Sequence, residues 1–433
     1  MAAGKGLSLS AEPYFGLKGG WLTFWITLSC STDMALFGYD QGVFSGVVIS
    51  QDYLDTLDLN GPSKTNLLAI ITSIYDIGCF FGAVVAFTIG ERLGRKKTIL
   101  VGTTVMAVGA VLQVSAFHPA HMIVGRIVSG IGNGMNTSTA PVWQTETSPP
   151  KWRGKLVILE MMMNIFGYVI VSWINYGLSF VGGAIVWRLP LALQFVFIFI
   201  LWSTTPWLPE SPRWLIAHDR FDEATQILAD IANTSTSDAF VVANRVEIFD
   251  SVEYERKNAI QWRDLITNRT TDGTKAVRRL LLGAGTQAMQ QLGGINIASY
   301  YMPTLLSTSV GLSDKMSRLI TACASLVYLA ASGAAAPLVE QLGRRVMMMT
   351  STAVQLLCFF MMTILFYYAQ KPGYVGQEKV AEASVVFFFL YYIGFGLGML
   401  GIPWLYPTEI NSLPMRTQGS AIATAVDWLM NFI

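Results

Sequence analysis

The sequence Leu93-Gly94-Arg95-Lys96 recurs in the second half of the chain as Leu342-Gly343-Arg344-Arg345, and each copy directly follows a hydrophobic segment. Each of those hydrophobic segments ends close to a glutamate, Glu91 in the first copy and Glu340 in the second. The same charges at matching edges of two hydrophobic segments indicate an internal duplication. Many membrane transporters are built from such internal repeats.

A second pair of charges repeats downstream of each copy. Glu146 precedes Arg153 by seven residues, just as Glu409 precedes Arg416. A positive residue alone would serve only to orient the chain in a membrane, and that role needs no acidic partner. The repeated spacing therefore favours a function for the pairs themselves.

The composition places the chain among membrane proteins. Of its 433 residues, 52% are hydrophobic and only 13% are charged, whereas soluble domains carry roughly 25% charged residues. Several apolar stretches reach the length of about 20 residues that a helix needs to cross a bilayer. We therefore expect an all-α polytopic membrane protein. The net charge of +1 gives no indication of nucleic acid as a partner.

Eleven membrane spans are predicted, six of them before a polar stretch of about 70 residues and five after it. Their approximate ranges are 21–48, 67–90, 98–117, 122–144, 155–178, 187–206, 280–302, 317–339, 346–369, 384–405 and 417–433. This divides the chain into a leader (1–20), an N-terminal six-helix bundle (21–206), a helical linker (207–279) and a C-terminal bundle (280–433). Two bundles of six would need a twelfth span, so we expect the C-terminal bundle to be incomplete, ending within its helix 11.

The connecting loops alternate in charge. Basic residues cluster on one side, at 92–97, 151–155, 344–345 and 416, whereas the other side carries aspartates in 52–58. By the positive-inside rule, the basic side, the N-terminus and the linker are cytoplasmic. We expect a multi-pass protein of the plasma membrane.

Six motifs in register resemble the sugar porters of the major facilitator superfamily over essentially the whole chain. The residues in and around these motifs are most similar to those of the fungal sugar or polyol–proton symporter-like group. The six motifs are Gly90-Glu91-Arg92-Leu93-Gly94-Arg95-Lys96, Gly125-Arg126-Ile127-Val128-Ser129-Gly130-Ile131-Gly132, Pro141-Val142-Trp143-Gln144-Thr145-Glu146 with Arg153-Gly154, Pro209-Glu210-Ser211-Pro212-Arg213-Trp214-Leu215, Gln290-Gln291-Leu292-Gly293-Gly294-Ile295-Asn296 and Pro403-Trp404-Leu405-Tyr406-Pro407-Thr408-Glu409. The resemblance implies the major facilitator fold and secondary transport of a small molecule by alternating access.

Asp40 lies inside the first predicted span and Arg126 inside the fourth. A carboxylate inside a membrane is costly, which makes it a candidate functional residue. Arg126 is its natural partner, because either charge alone would be expensive to bury. The resemblance implies that an aspartate at this position is the proton-coupling site. A static structural ion pair is the alternative, and we interpret two further intramembrane acids, Asp33 and Asp76, as structural.

The charged residues at the cytoplasmic edges are interpreted as a gate, whose ion pairs would form and break as the two bundles close and part. This predicted gate comprises Glu91, Arg92, Arg95, Glu146, Arg153, Glu210, Arg213, Glu340, Arg344, Glu409 and Arg416. The alternative is that these residues only set the orientation of the chain.

A sugar or polyol needs hydrogen-bonding groups and an aromatic face within a cavity. The predicted substrate-binding residues are Phe37, Asn164, Tyr168, Gln290, Gln291, Asn296, Tyr300, Tyr301, Trp404 and Asp427. The resemblance implies glutamine at the position that we assign to Tyr168, and an amide at Asp427. Tyr328 also lies where the family usually has asparagine. These departures argue against assuming glucose as the cargo, and Asn164 could supply the missing amide.

Three functions remain open. The first is proton symport of a sugar or polyol, and the second is transport of another cargo, such as a fungal secondary metabolite, by the same fold. The third is a sensor or a truncated remnant that does not transport. An enzyme is not expected, because the three histidines form no set with a nucleophile, and neither a metal site nor a cofactor is indicated.

Overall fold

The computed structural model describes residues 13–149, 153–258 and 275–433. All regular elements in these ranges are helices. The prediction of an all-α protein is therefore confirmed.

The first half contains six long helices and one short one. They are α1 (Gly19–Val47), the short α2 (Gln51–Thr56), α3 (Thr65–Leu93), α4 (Arg95–Val114), α5 (Pro119–Thr147), α6 (Arg153–Leu178) and α7 (Ile185–Thr204). The long helices coincide with the first six predicted spans.

Three helices follow in the polar stretch: α8 (Pro212–Ala217), α9 (Phe221–Ala232) and α10 (Ala239–Lys257). The buried face of α9 includes Ile227 and Ile231, which pack with Leu22 and Ile26 of α1. The side of the bundle on which these three helices lie is called the linker side below. The opposite side, which carries α2, is called the far side.

The second half continues with α11 (Ala276–Leu292), α12 (Ile295–Thr308), α13 (Asp314–Leu342), α14 (Arg344–Gln370), α15 (Gln377–Gly394), α16 (Ile402–Ile410) and α17 (Arg416–Phe432). The seventh predicted span is broken between α11 and α12, where Gly294 has φ +84°. The tenth is interrupted by a π-helical turn, Phe395–Met399, between α15 and α16.

Seven helical segments in the described residues are long and apolar enough to cross a membrane. The other four predicted spans are helical but differ from these seven. Helix α1 contains two aspartates, α5 contains Arg126, α11 and α12 are short pieces, and α17 has 17 residues. The polar residues that weaken the apolar signal of α1 and α5 are the ones that build the candidate site.

In the described residues, the two halves meet mainly along three helix pairs, α6 with α13, α3 with α17 and α1 with α12. Within the first half, α1 packs closely on α6, and a Cβ atom on Gly38 would overlap the carbonyl oxygen of Asn164. Only glycine allows two helix backbones to approach this closely. The close packing brings the polar residues of α1 next to those of α6.

Candidate functional site

Asp40 and Arg126 form an ion pair in the interior of the first half. The Arg126 Nη1 to Asp40 Oδ1 distance is 3.7 Å, and both side chains are completely buried. Ser129 donates a hydrogen bond to Asp40 Oδ2 (3.3 Å). The structure therefore brings together the two residues that the sequence pairs, and it adds Ser129, one turn after Arg126 on α5.

The Arg126 guanidinium is held by more than the carboxylate. Its Nη2 donates to the carbonyl oxygen of Thr72 (2.7 Å). The rings of Phe44 and Tyr75 lie 3.9 and 4.3 Å from its Cζ. Cation–π contacts of this kind are strongest where water is excluded. The arginine is fixed by α3 and by aromatic rings, which leaves the carboxylate as the partner whose charge a proton can remove.

An amide–carboxylate network joins α11, α12 and α17. Gln291 donates through Nε2 to Asp427 Oδ1 (2.7 Å). Asn296 donates to Gln291 Oε1 (3.2 Å) and to the carbonyl oxygen of Asn431 (3.4 Å). The break at Gly294 allows Asn296 to turn back towards Gln291. Three of the predicted substrate-binding residues are thus neighbours.

Gln290 has different hydrogen-bond partners from its neighbour Gln291. Its Nε2 donates to the carbonyl oxygens of Met399 (2.6 Å) and Leu400 (3.1 Å), at the end of the π-helical turn. A π-turn leaves backbone carbonyls without their usual helical partners. The amide of Gln290 donates to two of these carbonyls, so in this structure its hydrogen bonds are to the protein backbone.

Aromatic side chains from both halves meet at the interface. The rings of Phe37 and Trp428 are 5.4 Å apart in a T-shaped arrangement, and Trp404 packs against the same buried cluster. Tyr300 is buried, with no hydrogen-bond partner for its hydroxyl among the described residues. Tyr301 is half-buried. Aromatic side chains of both halves are thus in contact at the interface, and their role in binding a substrate stays a prediction.

Asn164 and Tyr168 lie one turn apart on α6. Asn164 donates to the carbonyl oxygen of Met34 (3.5 Å). The Tyr168 hydroxyl is 3.1 Å from the carbonyl oxygen of Ser299, to which it donates, and 3.2 Å from the hydroxyl of Tyr392. Tyr168 therefore fastens α6 of the first half to α12 and α15 of the second, and its binding role stays a prediction.

A small cavity, lined almost entirely by apolar side chains, lies between α6, α13 and α16, towards the linker side. Trp404 lines it, and so does Met161, which packs in the same cluster as Phe37 and Trp428. Met161 could not be singled out from the sequence, because a methionine in an apolar span is ordinary. Its place in the cavity wall depends only on the rotation of α6.

The first copy of the duplicated motif forms a compact charge cluster. Arg95 donates through Nε and Nη2 to the Glu146 carboxylate at 2.9 and 3.0 Å. Arg213 lies 4.0 Å from the same carboxylate and 2.6 Å from that of Glu255 on α10. The cluster joins α4, α5 and the linker within the first half.

Glu210, a residue of the linker, also contacts this charge cluster. Its Oε1 accepts from the backbone N–H groups of Arg95 (3.0 Å) and Ser211 (2.9 Å), so it caps the start of α4. Burial raises the pKa of the Glu210 carboxyl, although the backbone N–H groups act in the opposite direction. Gly94 has φ +90°, and a Cβ there would lie 2.5 Å from Glu210 Oε2.

The second copy forms a simpler pair. Arg344 donates to the Glu409 carboxylate through Nε (3.2 Å) and Nη2 (2.9 Å). The remaining predicted gate residues with described side chains are exposed; they are Glu91, Arg92, Glu340 and Arg416. The side chain of Arg153 lies outside the described part of the chain. Each pair joins elements of one half, or that half and the linker, so a gating role stays a prediction.

The family profile described as "Sugar (and other) transporter" matches residues 25–433. The chain belongs to this sugar transporter family. Among its relatives, the MFS-type transporter oryC of Aspergillus oryzae is 65% identical over 427 residues, which cover 99% of this chain and 79% of the relative. The sugar transporter STL1 of Saccharomyces cerevisiae is 33% identical, with 99% of this chain and 75% of the relative covered.

Solved structures give the same fold. A double-tryptophan mutant of XylE matches with a TM-score of 0.77 and 25% identity, covering 95% of this chain and 87% of that one. The proton:xylose symporter XylE bound to 6-bromo-6-deoxy-D-glucose matches with a TM-score of 0.76 at 24% identity, covering 95% and 86%. The fold is that of the major facilitator superfamily. This sugar transporter family member is a multi-pass membrane protein and not an enzyme.

One polar contact between the halves of this family member was not predicted from the sequence. Arg318, near the start of α13, is buried and donates to Ser50 Oγ (3.3 Å) and to the carbonyl oxygen of Asn175 (3.4 Å). Its Nε also donates to Asp314 (3.2 Å). An arginine inside a predicted span was the available signal. Together with Tyr168, it connects the two halves on the far side.

Proposed function

We propose that this protein couples the movement of a sugar or polyol across the membrane to the movement of a proton, through alternating access. The observation that carries the proposal is the buried pair of Asp40 and Arg126. A proton on Asp40 would remove the attraction between the two groups, and a lone buried guanidinium is costly. Protonation would therefore favour a rearrangement of the helices that hold the pair.

Contacts on the two sides of the molecule support alternating access. On the far side, Arg318 and Tyr168 join the halves. On the linker side, the cavity lined by Trp404 and Met161 lies between them. Such an arrangement fits a state whose central site is reached from the linker side, and the opposite state would require the far-side contacts to break.

The orientation and location follow from charge. The basic clusters at 92–97, 344–345 and 416 lie on the linker side, so we propose that the linker and the N-terminus are cytoplasmic. We also propose that the protein lies in the plasma membrane. The domain boundaries predicted from the sequence, at about 20, 206 and 279, belong to this proposal. The small-molecule cargo would enter the site between residues 21–206 and 280–433.

A second cargo class is supported by Asp427. In the ionised form this carboxylate only accepts hydrogen bonds, whereas an amide both donates and accepts. Asp427 here receives a hydrogen bond from Gln291. This arrangement suits a donor-rich or cationic metabolite better than glucose, and the 65% identical relative is described only as an MFS-type transporter.

Expression in a yeast strain that lacks hexose and glycerol transporters tests the proposal. Uptake of labelled hexoses, xylose and glycerol is measured with and without a proton uncoupler. We expect accumulation that the uncoupler abolishes, and we expect Asp40→Asn to abolish it too. The matched control is Asp58→Asn, since Asp58 has an exposed side chain on the far side and φ +50°, which asparagine tolerates.

Uptake that the uncoupler leaves unchanged would contradict proton coupling. Accumulation by Asp40→Asn equal to that of Asp58→Asn would remove the role assigned to Asp40. A positively charged compound that competes with the wild type, but not with Asp427→Asn, would favour the second cargo class.

A further inference from the structure

Two buried acids lie in the first half outside the candidate site. Asp33 on α1 is 2% exposed, and Glu160 on α6 is completely buried. From the sequence, Asp33 is interpreted as structural, and Glu160 is not among the predicted site residues. Acidic residues inside a membrane protein are expensive and are commonly functional.

The packing of α1 on α6 places the two acids side by side. Gly38 contacts Asn164, a Cβ on Gly46 would lie 2.4 Å from the amide carbon of Asn175, and a Cβ on Gly167 would lie 2.0 Å from the carbonyl oxygen of Ala35. The helices therefore run in the same direction, with offsets of 126 to 132 residues between contacting positions. These offsets place Asp33 opposite residues 159–165 of α6, a range that includes Glu160. The two carboxyls are within electrostatic range of each other, and the Cys30 thiol lies beside Glu160.

The hydrogen bonding of this pair is incomplete. Asp33 Oδ1 accepts from Asn136 Nδ2 (2.7 Å). Asp33 Oδ2 has no hydrogen-bond partner among the described residues. The Glu160 carboxyl has there only the Cys30 thiol, a weak donor, beside it. An ionised carboxylate without hydrogen bonds is strongly disfavoured in an apolar interior, and two adjacent acids cannot both ionise easily. The pair is therefore stable only when it holds at least one proton.

The pair is connected to Asp40 by helix geometry. Asp33 and Asp40 are seven residues apart on α1, which is two turns, so they share a face and are separated by about 10 Å along the axis. On the antiparallel α5, Ser129 donates to Asp40 and Asn136 donates to Asp33. Ser129 and Asn136 are also seven residues apart, and the buried Asn133 lies between them.

The direction of this polar strip is towards the linker side. The first turns of α1 pack on the linker, where Lys18 lies 3.4 Å from Asp230. Asp33 is nearer to that end than Asp40 is. On α6, Val157 and Met161 flank Glu160 in sequence and line the cavity. The strip thus runs from the central ion pair to the wall of the linker-side cavity.

We propose that Asp33 and Glu160 form a second proton-binding site, which accepts the proton released by Asp40 and passes it to the cavity on the linker side. This inference rests on the proposed proton coupling. The step is a proton transfer between carboxyls: Asp40 loses its proton as it pairs again with Arg126, and the acid pair gains that proton. Transfer over this distance proceeds through the buried polar groups of α5 and intervening water.

The groups that face the pair set its pH response. The titratable groups acting on Glu160 in the described chain are Asp33 and Cys30, both on α1. From α5, Asp33 is faced by the neutral side chain of Asn136, which also contacts Thr103 Oγ1 of α4 (3.1 Å). The other face of α6 packs on α13, whose cavity-lining residues are apolar or hydroxylated, such as Val339 and Ser332.

Infrared spectroscopy of the purified protein in liposomes at pH 7 tests the protonation directly and needs no cargo. The spectrum of Asp33→Asn/Glu160→Gln is subtracted from that of the wild type. We expect the difference to contain the carbonyl-stretch band of a protonated carboxylic acid. The matched control is Glu378→Gln at an exposed position, which should remove only carboxylate bands.

Uptake measurements test the proton transfer from Asp40 to the acid pair. They use the labelled sugar or polyol that the wild type accumulates. In Glu160→Gln we expect proton-driven uptake to fall by about tenfold, while cargo exchange at equal concentrations, which needs no net proton release, stays within about twofold of the wild type. Asp33→Asn should behave in the same way. Elution of each variant as a single species from gel filtration verifies folding, and Glu160→Gln alone carries the test if Asp33→Asn does not fold.

The outcomes separate the two proposals. If the difference spectrum contains only carboxylate bands, or if Glu160→Gln retains wild-type proton-driven uptake, the second proton site is wrong even when Asp40→Asn abolishes coupling. If the wild type itself shows no proton-driven uptake, the proposed function is wrong, and so is the proposed proton transfer from Asp40 to the acid pair.

Discussion

The two copies of the duplicated motif have the same ion-pair geometry but different surroundings. In the first copy, the side chains of Arg95 and Glu146 are 19% and 10% exposed. In the second copy, those of Arg344 and Glu409 are 40% and 41% exposed. Duplication therefore supplied two similar pairs, and the linker helices α8–α10 cover the first of them.

The cover of the first copy comes from the segment after α7. Glu210 caps α4, and Trp214 donates to the carbonyl oxygen of Glu91 (2.5 Å). Trp214 also packs in a core formed by α1, α5 and the linker helices. The first copy thus combines charge pairing with apolar burial. We infer that it is the stronger of the two, because desolvation strengthens charge interactions and solvent screens exposed ones.

The largest difference should come from removing the apolar cover. We expect Trp214→Ala to lower the free energy of unfolding by about 3–5 kcal/mol, the range for truncating a buried tryptophan. Trp207→Ala removes a tryptophan that is 59% exposed nearby and should cost less than about 0.5 kcal/mol. Chemical denaturation in mixed micelles measures both, and equal losses would contradict the docking of the linker on the first copy.

The next difference concerns the glycines that precede the two arginines. Gly94 and Gly343 have φ values of +90° and +80°, so alanine strains the backbone at either position. Only at Gly94 would the added Cβ meet neighbouring atoms, those of Glu210 and Trp214. With ψ values of 167° and 159°, both glycines lie in a region that is essentially restricted to glycine. We expect Gly343→Ala to cost about 1–3 kcal/mol, and Gly94→Ala to cost about 1–3 kcal/mol more because of the contacts of its Cβ.

Midpoints of heat unfolding of the two alanine variants, measured in parallel in one detergent, check this prediction. A larger loss for Gly343→Ala than for Gly94→Ala would mean that the contact between Gly94 and Glu210 does not constrain the first copy.

The smallest difference lies in the ion pairs themselves. Double-mutant cycles with Arg95→Gln and Glu146→Gln should give a coupling energy of about 1–3 kcal/mol. The same cycle with Arg344→Gln and Glu409→Gln should give about 0.2–1 kcal/mol, because this pair is exposed. Added salt should weaken the second coupling more than the first. Couplings of equal size and equal salt dependence would show that the linker cover has no electrostatic effect.

Some of this architecture could be predicted because it depends only on the order of residues along the chain. The length of an apolar run decides whether a helix can cross a membrane, so the approximate positions of the spans followed from the sequence. The internal charges of Asp40 and Arg126 predicted each other, because neither is stable alone in an apolar interior. The family motifs predicted the fold and the general class of function.

Other features depend on how far one helix is rotated and shifted against another. Gln290 and Gln291 are neighbours in sequence, yet one holds a π-helical turn and the other binds Asp427. Glu160 gains its neighbour Asp33 only through the register of α6 on α1. Side chains one residue apart on a helix point about 100° apart, so a pattern in one span does not tell which residue faces which neighbour.

The sequence by itself determined the duplicated membrane architecture, the central ion pair and the family, since hydrophobic length, buried charge and motif spacing are properties of the chain alone. Tertiary structure decided which copy of the motif the linker covers, which residues line the cavity and which acids become neighbours. Those outcomes depend on contacts between residues that are distant in the chain, and the close approach of α1 and α6 fixes the register from which the pairing of Asp33 with Glu160 follows.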